Sequence, residues 1–236
     1  NLQQIARFLA PLGIGIGEAR VVSDVPAHIV ASLNDLRSRF AYVFTTGGIG
    51  PTHDDRTADA VAEAFGVTID ERADALAIIT ARYNATGVDL TPARRRMARI
   101  PEGARLIANP ASGAPGFQLG NVFVMAGVPS IMRAMLEDIG HRLEGGAVVL
   151  ARTVRGVGLR EGEIAEGLSR LAEASPDLDF GSYPWFSSAG YGAHLVVRGT
   201  DPARLETALA DLAALVRAQG AVPEIDPQDK EQDPLS

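Results

Sequence analysis

The residues with chemistry to offer concentrate in one stretch, Thr45-Thr46-Gly47-Gly48-Ile49-Gly50-Pro51-Thr52-His53-Asp54-Asp55. Gly47, Gly48 and Gly50 follow the apolar run Ala41-Tyr42-Val43-Phe44. Glycines in such a place let the backbone take positive φ and let a ligand approach closely. Their N–H groups can form a nest for an anion, and a helix opening near Thr57 adds its positive end. Thr45, Thr46 and Thr52 supply hydroxyls. The chemistry this predicts is the binding of phosphate or another oxyanion. An ordinary strand-to-helix turn accounts for one glycine, not three. The stretch is neither a Walker loop, which needs Gly-Lys-Ser/Thr, nor a G-x-G-x-x-G dinucleotide fingerprint.

Asp54 and Asp55 complicate that picture. One of them is expected to cap the following helix. The other is then a carboxylate beside an anion site, where it would repel the ligand. Two resolutions stand open. A divalent cation such as Mg2+ bridges carboxylate and phosphate, or the carboxylate accepts a hydrogen bond from a ligand N–H or hydroxyl. Asp55 is the first candidate and Asp54 the second; His53 is read as a loop histidine. Two further segments can wall the same pocket. Asn109-Pro110-Ala111-Ser112-Gly113-Ala114-Pro115-Gly116-Phe117 is a long loop of small residues. In Ala126-Gly127-Val128-Pro129-Ser130, a glycine ends a strand and a proline opens a helix. Asn109, Gly113, Ala114, Pro115, Gly127, Val128 and Pro129 are therefore the remaining candidate ligand-binding residues.

The elements that position these loops follow from periodicity. Helices are expected over residues 1–12, from Asp24 through the apolar positions Ile29, Val30, Leu33 and Leu36, and over 57–65, 70–85, 91–99 and 129–143. Strands are expected at 14–22, 41–44, 105–107, 116–119 and 121–125. This alternation predicts an open α/β domain over residues 1–145, with a mostly parallel sheet and crossover helices. In such sheets ligands bind beyond the carboxyl ends of the strands, where both glycine-rich segments lie. The chain enters a helix at once, with no strand ahead of Asn1, so a first strand and its loop are expected to be missing from this sequence. Residues 146–222 read as a small α+β domain: a strand at 148–155, a helix at 161–174, strands near 178–183 and 191–198, and a helix at 202–218. Residues 223–236 read as a disordered tail. Trp185 and Phe186 in the small domain are assigned to its core rather than to an interface.

Bulk properties exclude several function classes. The chain has 236 residues, a net charge of −7, 46% hydrophobic and 22% charged residues, which suffices for a globular core. Lys230 is its only lysine, so no basic footprint for nucleic acid exists. Arg94, Arg95, Arg96 and Arg99 read as a solvated face, because a helix spreads consecutive residues around its circumference. The absence of cysteine excludes disulfides, thiolate nucleophiles and cysteine-based metal sites. His28, His53, His141 and His194 lack metal-ligand spacing, and no Ser-His-Asp set or G-x-S-x-G elbow is present. No apolar run approaches the ~20 residues of a membrane span, and no signal peptide is evident. A cytoplasmic protein without nucleic-acid or membrane partners is expected.

The segment Phe44 to Asp55 resembles the signature of the molybdopterin-binding (MoCF biosynthesis) domain, in the version of the competence/damage-inducible protein A family. Ile100-Pro101-Glu102-Gly103-Ala104, Asn109-Pro110, Gly113-Ala114-Pro115-Gly116-Phe117 and Gly127-Val128-Pro129-Ser130-Ile131-Met132 follow in that family's order. His53 stands where the family often has proline. The resemblance spans residues 1–143 and, less distinctively, the region after 150. It implies a three-layer α/β domain, a mostly parallel sheet with flanking helices, that binds molybdopterin-like or nucleotide ligands, as a dimer or trimer. At the position of Asp55 it implies an aspartate that handles the pterin with Mg2+. It further implies a Mg2+- or Co2+-dependent pyrophosphatase acting on ADP-ribose or related dinucleotides such as FAD. The alternative is a non-catalytic binding or regulatory module of the same fold. Relatives also carry an amide-hydrolysing domain that this sequence is too short to contain.

Overall fold

The computed structural model describes residues 1–188 and 190–225. These fall into two compact units that divide after Gly146. In the first unit the helices are α1 (Leu2–Leu9), α2 (Pro26–Arg39), α3 (Thr57–Phe65), α4 (Ala73–Thr86), α5 (Pro92–Arg95) and α6 (Pro129–Ile139). Its strands are β1 (Val43–Thr46), β2 (Ile69–Glu71), β3 (Arg99–Pro101), β4 (Arg105–Ile107), β5 (Gly116–Leu119) and β6 (Val122–Met125).

The main sheet has the order β1-β6-β5-β4. Its centre is β6, Val122-Phe123-Val124-Met125, all four residues fully buried. Successive side chains of a strand point to opposite faces, and the sorting is visible here. Val122 and Val124 join a cluster with Leu33 of α2, Val61 of α3 and Ile79 of α4. Phe123 and Met125 join another with Ile5 and Leu9 of α1 and Met132, Met135 and Leu136 of α6. Helices therefore cover both faces, which is why β6 reads as an uninterrupted apolar run.

The sheet is mixed, not mostly parallel as expected. Only β1 and β6 pair in parallel, while β6-β5 and β5-β4 are antiparallel. The cause is connection length. Gly120 and Asn121 alone join β5 to β6, with Gly120 at φ 55°; a parallel pair needs a crossover of roughly a dozen residues or more. Residues 14–22, expected as a strand, form none. They run outside every sheet and are largely exposed, since no strand lies beside them to pair with. A small antiparallel pair, β2-β3, lies outside the main sheet and was not foreseen.

The second unit contains β7 (Leu150–Val157), α7 (Glu161–Ala174), β8 (Asp179–Ser187), β9 (Gly190–Gly199), α8 (Pro202–Ala218) and β10 (Pro223–Ile225). All its strand pairs are antiparallel, in the order β10-β7-β9-β8. This is a ferredoxin-like βαββαβ arrangement. Ala193, Leu195 and Val197 of β9 alternate into a core completed by Ile164 of α7 and Leu205, Leu212 and Val216 of α8. Residues 223–225, expected in the tail, instead pair with β7; residues 226–236 lie outside the described residues. The expectation that Trp185 and Phe186 are core is also corrected. Phe186 is 83% exposed, and Trp185 is half-buried with the Arg155 guanidinium 4.7 Å from its ring centre.

Candidate functional site

The glycine-rich loop leaves β1 at the carboxyl end of the sheet. Gly47 and Gly48 have φ of 95° and 70°, a conformation that side chains resist. At Gly48 a Cβ would also fall on the Thr57 hydroxyl and within 2.9 Å of Thr57 Cβ. Thr57 is the first residue of α3, and its N–H donates to the Gly48 carbonyl at 2.9 Å. The loop is thus folded down onto the start of α3, whose first-turn N–H groups lack helical acceptors and favour negative charge. Gly47 meets the other glycine-rich segment directly: a Cβ on Gly127 would lie 3.2 Å from Gly47 Cα. Backbone-to-backbone packing at this distance explains the paired glycines.

Asp55 organises the same loop. Its Oδ2 accepts from the Thr52 N–H at 2.8 Å and from the Thr52 hydroxyl at 2.6 Å. It also occupies the space beside Gly50, where a Cβ would come within 2.7 Å of Oδ2. Neither aspartate caps α3, contrary to expectation. The residue before the helix is Arg56, with no side-chain cap, because the Asp55 carboxylate turns back to Thr52. Asp54 is held below the usual carboxylate range, first by the Thr52 hydroxyl and then by its own backbone N–H. The Thr45 hydroxyl is buried with no hydrogen-bond partner among the described residues. Native structures rarely leave such an atom unsatisfied.

Around this loop lies a shallow pocket, open to solvent. Of the candidate residues, Gly48, Gly50, Asp55 and Pro115 line it. The others stand behind or beside it. Asn109, buried, donates its amide to Ser112 Oγ and to the Ala114 carbonyl at 2.7 Å, and accepts from the Ser112 N–H at 3.1 Å. Its hydrogen bonds lie within its own loop, which they shape. Gly113, at φ 88°, lets that loop pass against Arg82. Gly127 backs Gly47, Val128 is exposed, and Pro129 opens α6. Thr46 ends β1, exposed.

Sequence reasoning missed Asp59, Arg96 and Arg99, which line the pocket with Ile49, Ala58, Met97, Ile100 and Phe117. Asp59, in the first turn of α3, holds Arg99 through two hydrogen bonds of 2.6 and 3.1 Å. The arginine cluster was the available signal, but a helix over 91–99 would disperse it. Residues 96–98 are instead a 3-10 turn that runs into β3. Arg96 opens that turn and Arg99 the strand after it, and both line the pocket.

Residues 1–145 match the family described as "Probable molybdopterin binding domain". The chain belongs to the molybdopterin-binding domain family. Residues 149–225 match a second family, "FAD synthase, middle domain". A CinA-like protein of Synechococcus sp. (strain RCC307) is 32% identical over 93% of this chain and 54% of its own length. One from Myxococcus xanthus (strain DK1622) is 33% identical over 91% and 53%. The chain thus spans about half the length of these curated relatives. A crystal structure titled as the protein CinA with unknown function, from Thermoplasma acidophilum, is 34% identical with a TM-score of 0.55, covering 60% of this chain and 86% of that one. This molybdopterin-binding-type chain has, among its described residues, no helix long and apolar enough to cross a membrane.

Proposed function

We propose that the first unit binds a phosphorylated pterin or nucleotide in the pocket at the loop 46–55. The observation that carries this reading is the convergence in one cavity of Gly48, Gly50, the first turn of α3 and the Asp55 carboxylate. Loop amides and the helix start hold a phosphoryl group. Asp55 Oδ2 is taken by Thr52, while Oδ1, which accepts no hydrogen bond among the described residues, would serve the ligand or a cation on it.

The metal fit is of a particular kind. Among the described residues no three His, Cys, Asp or Glu side chains gather into a metal site, and the other acidic group in the pocket, Asp59, is committed to Arg99. Asp55 is thus the residue that would hold Mg2+ or Co2+, together with a ligand's own phosphate oxygens and water, as is common for Mg2+. Such an ion would polarise a bound pyrophosphate, and a nucleotide pyrophosphatase activity on ADP-ribose or FAD belongs to this same proposal. Self-association into a homo-oligomer is proposed from the family resemblance and is read by light scattering.

Calorimetric titration of molybdopterin, ADP-ribose and FAD, with and without Mg2+, tests the reading. Wild type should bind at least one of them, and Asp55→Ala should weaken that binding and abolish its Mg2+ dependence. Equal affinity and equal metal dependence in wild type and Asp55→Ala would refute the role of Asp55. No binding of any of the three would refute the site.

A further inference from the structure

One wall of the pocket is held by a side chain that does not itself line it. Pro115 lines the pocket, and the segment that delivers it, residues 108–115, contains no helix or strand. Its first residue is tied to α6, where Asp138 Oδ2 accepts from the Ala108 N–H at 2.9 Å. Its turn is shaped by Asn109, whose carbonyl accepts from the Gly113 N–H at 2.9 Å. Arg82 of α4 touches the tip of this turn twice. Its Nη2 donates to the Ala111 carbonyl at 3.2 Å. Its stem packs on Gly113, where a Cβ would lie 2.6 Å from Arg82 Cγ and 2.8 Å from Arg82 Cβ. A glycine is needed there for the approach of the arginine as well as for the φ of 88°.

The two anchors come from opposite faces of the sheet. α6 packs in the cluster with Phe123 and Met125. α4 gives Ile79 and Tyr83 to the cluster that contains Ile100 and Phe117, which line the pocket. Arg82 is thus the brace on the pocket's own side. A loop without internal strand or helix owes its order to such contacts, and a wall fixed before the ligand arrives costs less ordering on binding. We propose that Arg82 is a positioning residue that latches the turn 109–113 to α4 and so fixes the pocket wall at Pro115. This rests on the phosphate-binding reading given above. That reading puts the phosphoryl group on the glycine loop and the start of α3, so the wall at Pro115 serves the rest of the ligand. Arg82 then governs affinity for the part of the ligand beyond the phosphates.

The test is calorimetric titration of inorganic pyrophosphate and of ADP-ribose into the full chain, for wild type, Arg82→Ala, Arg82→Met and Arg82→Lys. Arg82 is exposed, so these variants should fold as wild type does. Wild type should bind both probes. Arg82→Ala should weaken ADP-ribose by roughly tenfold, the size of one lost hydrogen bond to a charged group, and leave pyrophosphate within about twofold. Arg82→Met keeps the stem on Gly113 and loses the donor, so it should fall between. Arg82→Lys keeps a stem and a cationic donor for the single carbonyl and should recover most of the affinity. Amide exchange read by mass spectrometry should quicken over residues 109–113 in Arg82→Ala and stay unchanged in α3. The role of Arg82 is overturned if Arg82→Ala weakens both probes equally or neither, if Arg82→Lys recovers nothing, or if exchange in the turn does not change. It is also overturned if wild type binds pyrophosphate but not ADP-ribose. All of these outcomes leave the glycine loop as a phosphate site. Failure of wild type to bind pyrophosphate overturns the phosphate reading and this inference together.

Discussion

Replacing Gly48 by alanine separates two costs that the structure assigns to one position. The first is conformational. At φ 70° an L-residue loses about 1–2 kcal/mol relative to glycine. The second is steric, because the new Cβ would meet the Thr57 hydroxyl and stand 2.9 Å from Thr57 Cβ. Over-packing of this kind typically adds about 1–3 kcal/mol. The sum, roughly 2–5 kcal/mol, is a large share of a domain's stability. Gly66 provides the matched control. It closes α3 at φ 67°, nearly the same conformation, but a Cβ there has nothing within 4 Å. Gly66→Ala should therefore show the conformational term alone. In differential scanning calorimetry each kcal/mol moves the midpoint by about 2–4 °C for a domain of this size. Gly48→Ala should thus fall several degrees further than Gly66→Ala, and it should also weaken nucleotide binding, which Gly66→Ala should not. Thr57→Ala, which removes the colliding hydroxyl, should restore part of the stability lost in Gly48→Ala. Equal midpoints for Gly48→Ala and Gly66→Ala would refute the packing of the loop on α3.

Two further expectations follow. Phe123→Ala removes a fully buried ring of β6, whose centre lies 5.3 Å from that of Phe44 across the parallel β1-β6 pair. It should cost about 3–5 kcal/mol in denaturant unfolding, whereas a cost under about 1 kcal/mol would place Phe123 outside the core. His194 is held below the ordinary imidazole value of about 6.5 by burial first and by Arg155 second. Its folded form binds a proton less readily than its unfolded form. Its contribution to stability is therefore complete above about pH 6.5 and is lost as pH falls from there through the folded pKa. An NMR titration should find the His194 ring signals moving below pH 6.5, and a midpoint above that value would contradict the burial.

Local chemistry in the sequence was enough to locate much of this protein. The bounds of α3, α7 and α8 coincide with those drawn from periodicity, because an amphipathic helix satisfies its own backbone and needs only one apolar stripe. The glycine-rich loop was equally legible, since positive φ and close backbone approach are demands that few residues other than glycine meet. Gly47 and Gly48 bear this out directly. What the sequence did not disclose is everything that depends on a distant partner. Three-residue strands such as β2, β3 and β10 exist only because β3, β2 and β7 offer hydrogen bonds to them. Residues 14–22 have a strand-like composition but find no neighbour to pair with. The direction of β5 and β4 was decided by hairpin connections, which outweighed the apolar runs that suggested a parallel sheet. The same holds at the site. The sequence placed two aspartates beside an anion loop. Only the fold showed that Asp55 turns back to Thr52, that Asp59 cancels Arg99, and that Arg96 lines the pocket with no partner among the described residues. A residue's type is written in its own side chain, but whether its charge is free depends on which groups the tertiary structure brings beside it.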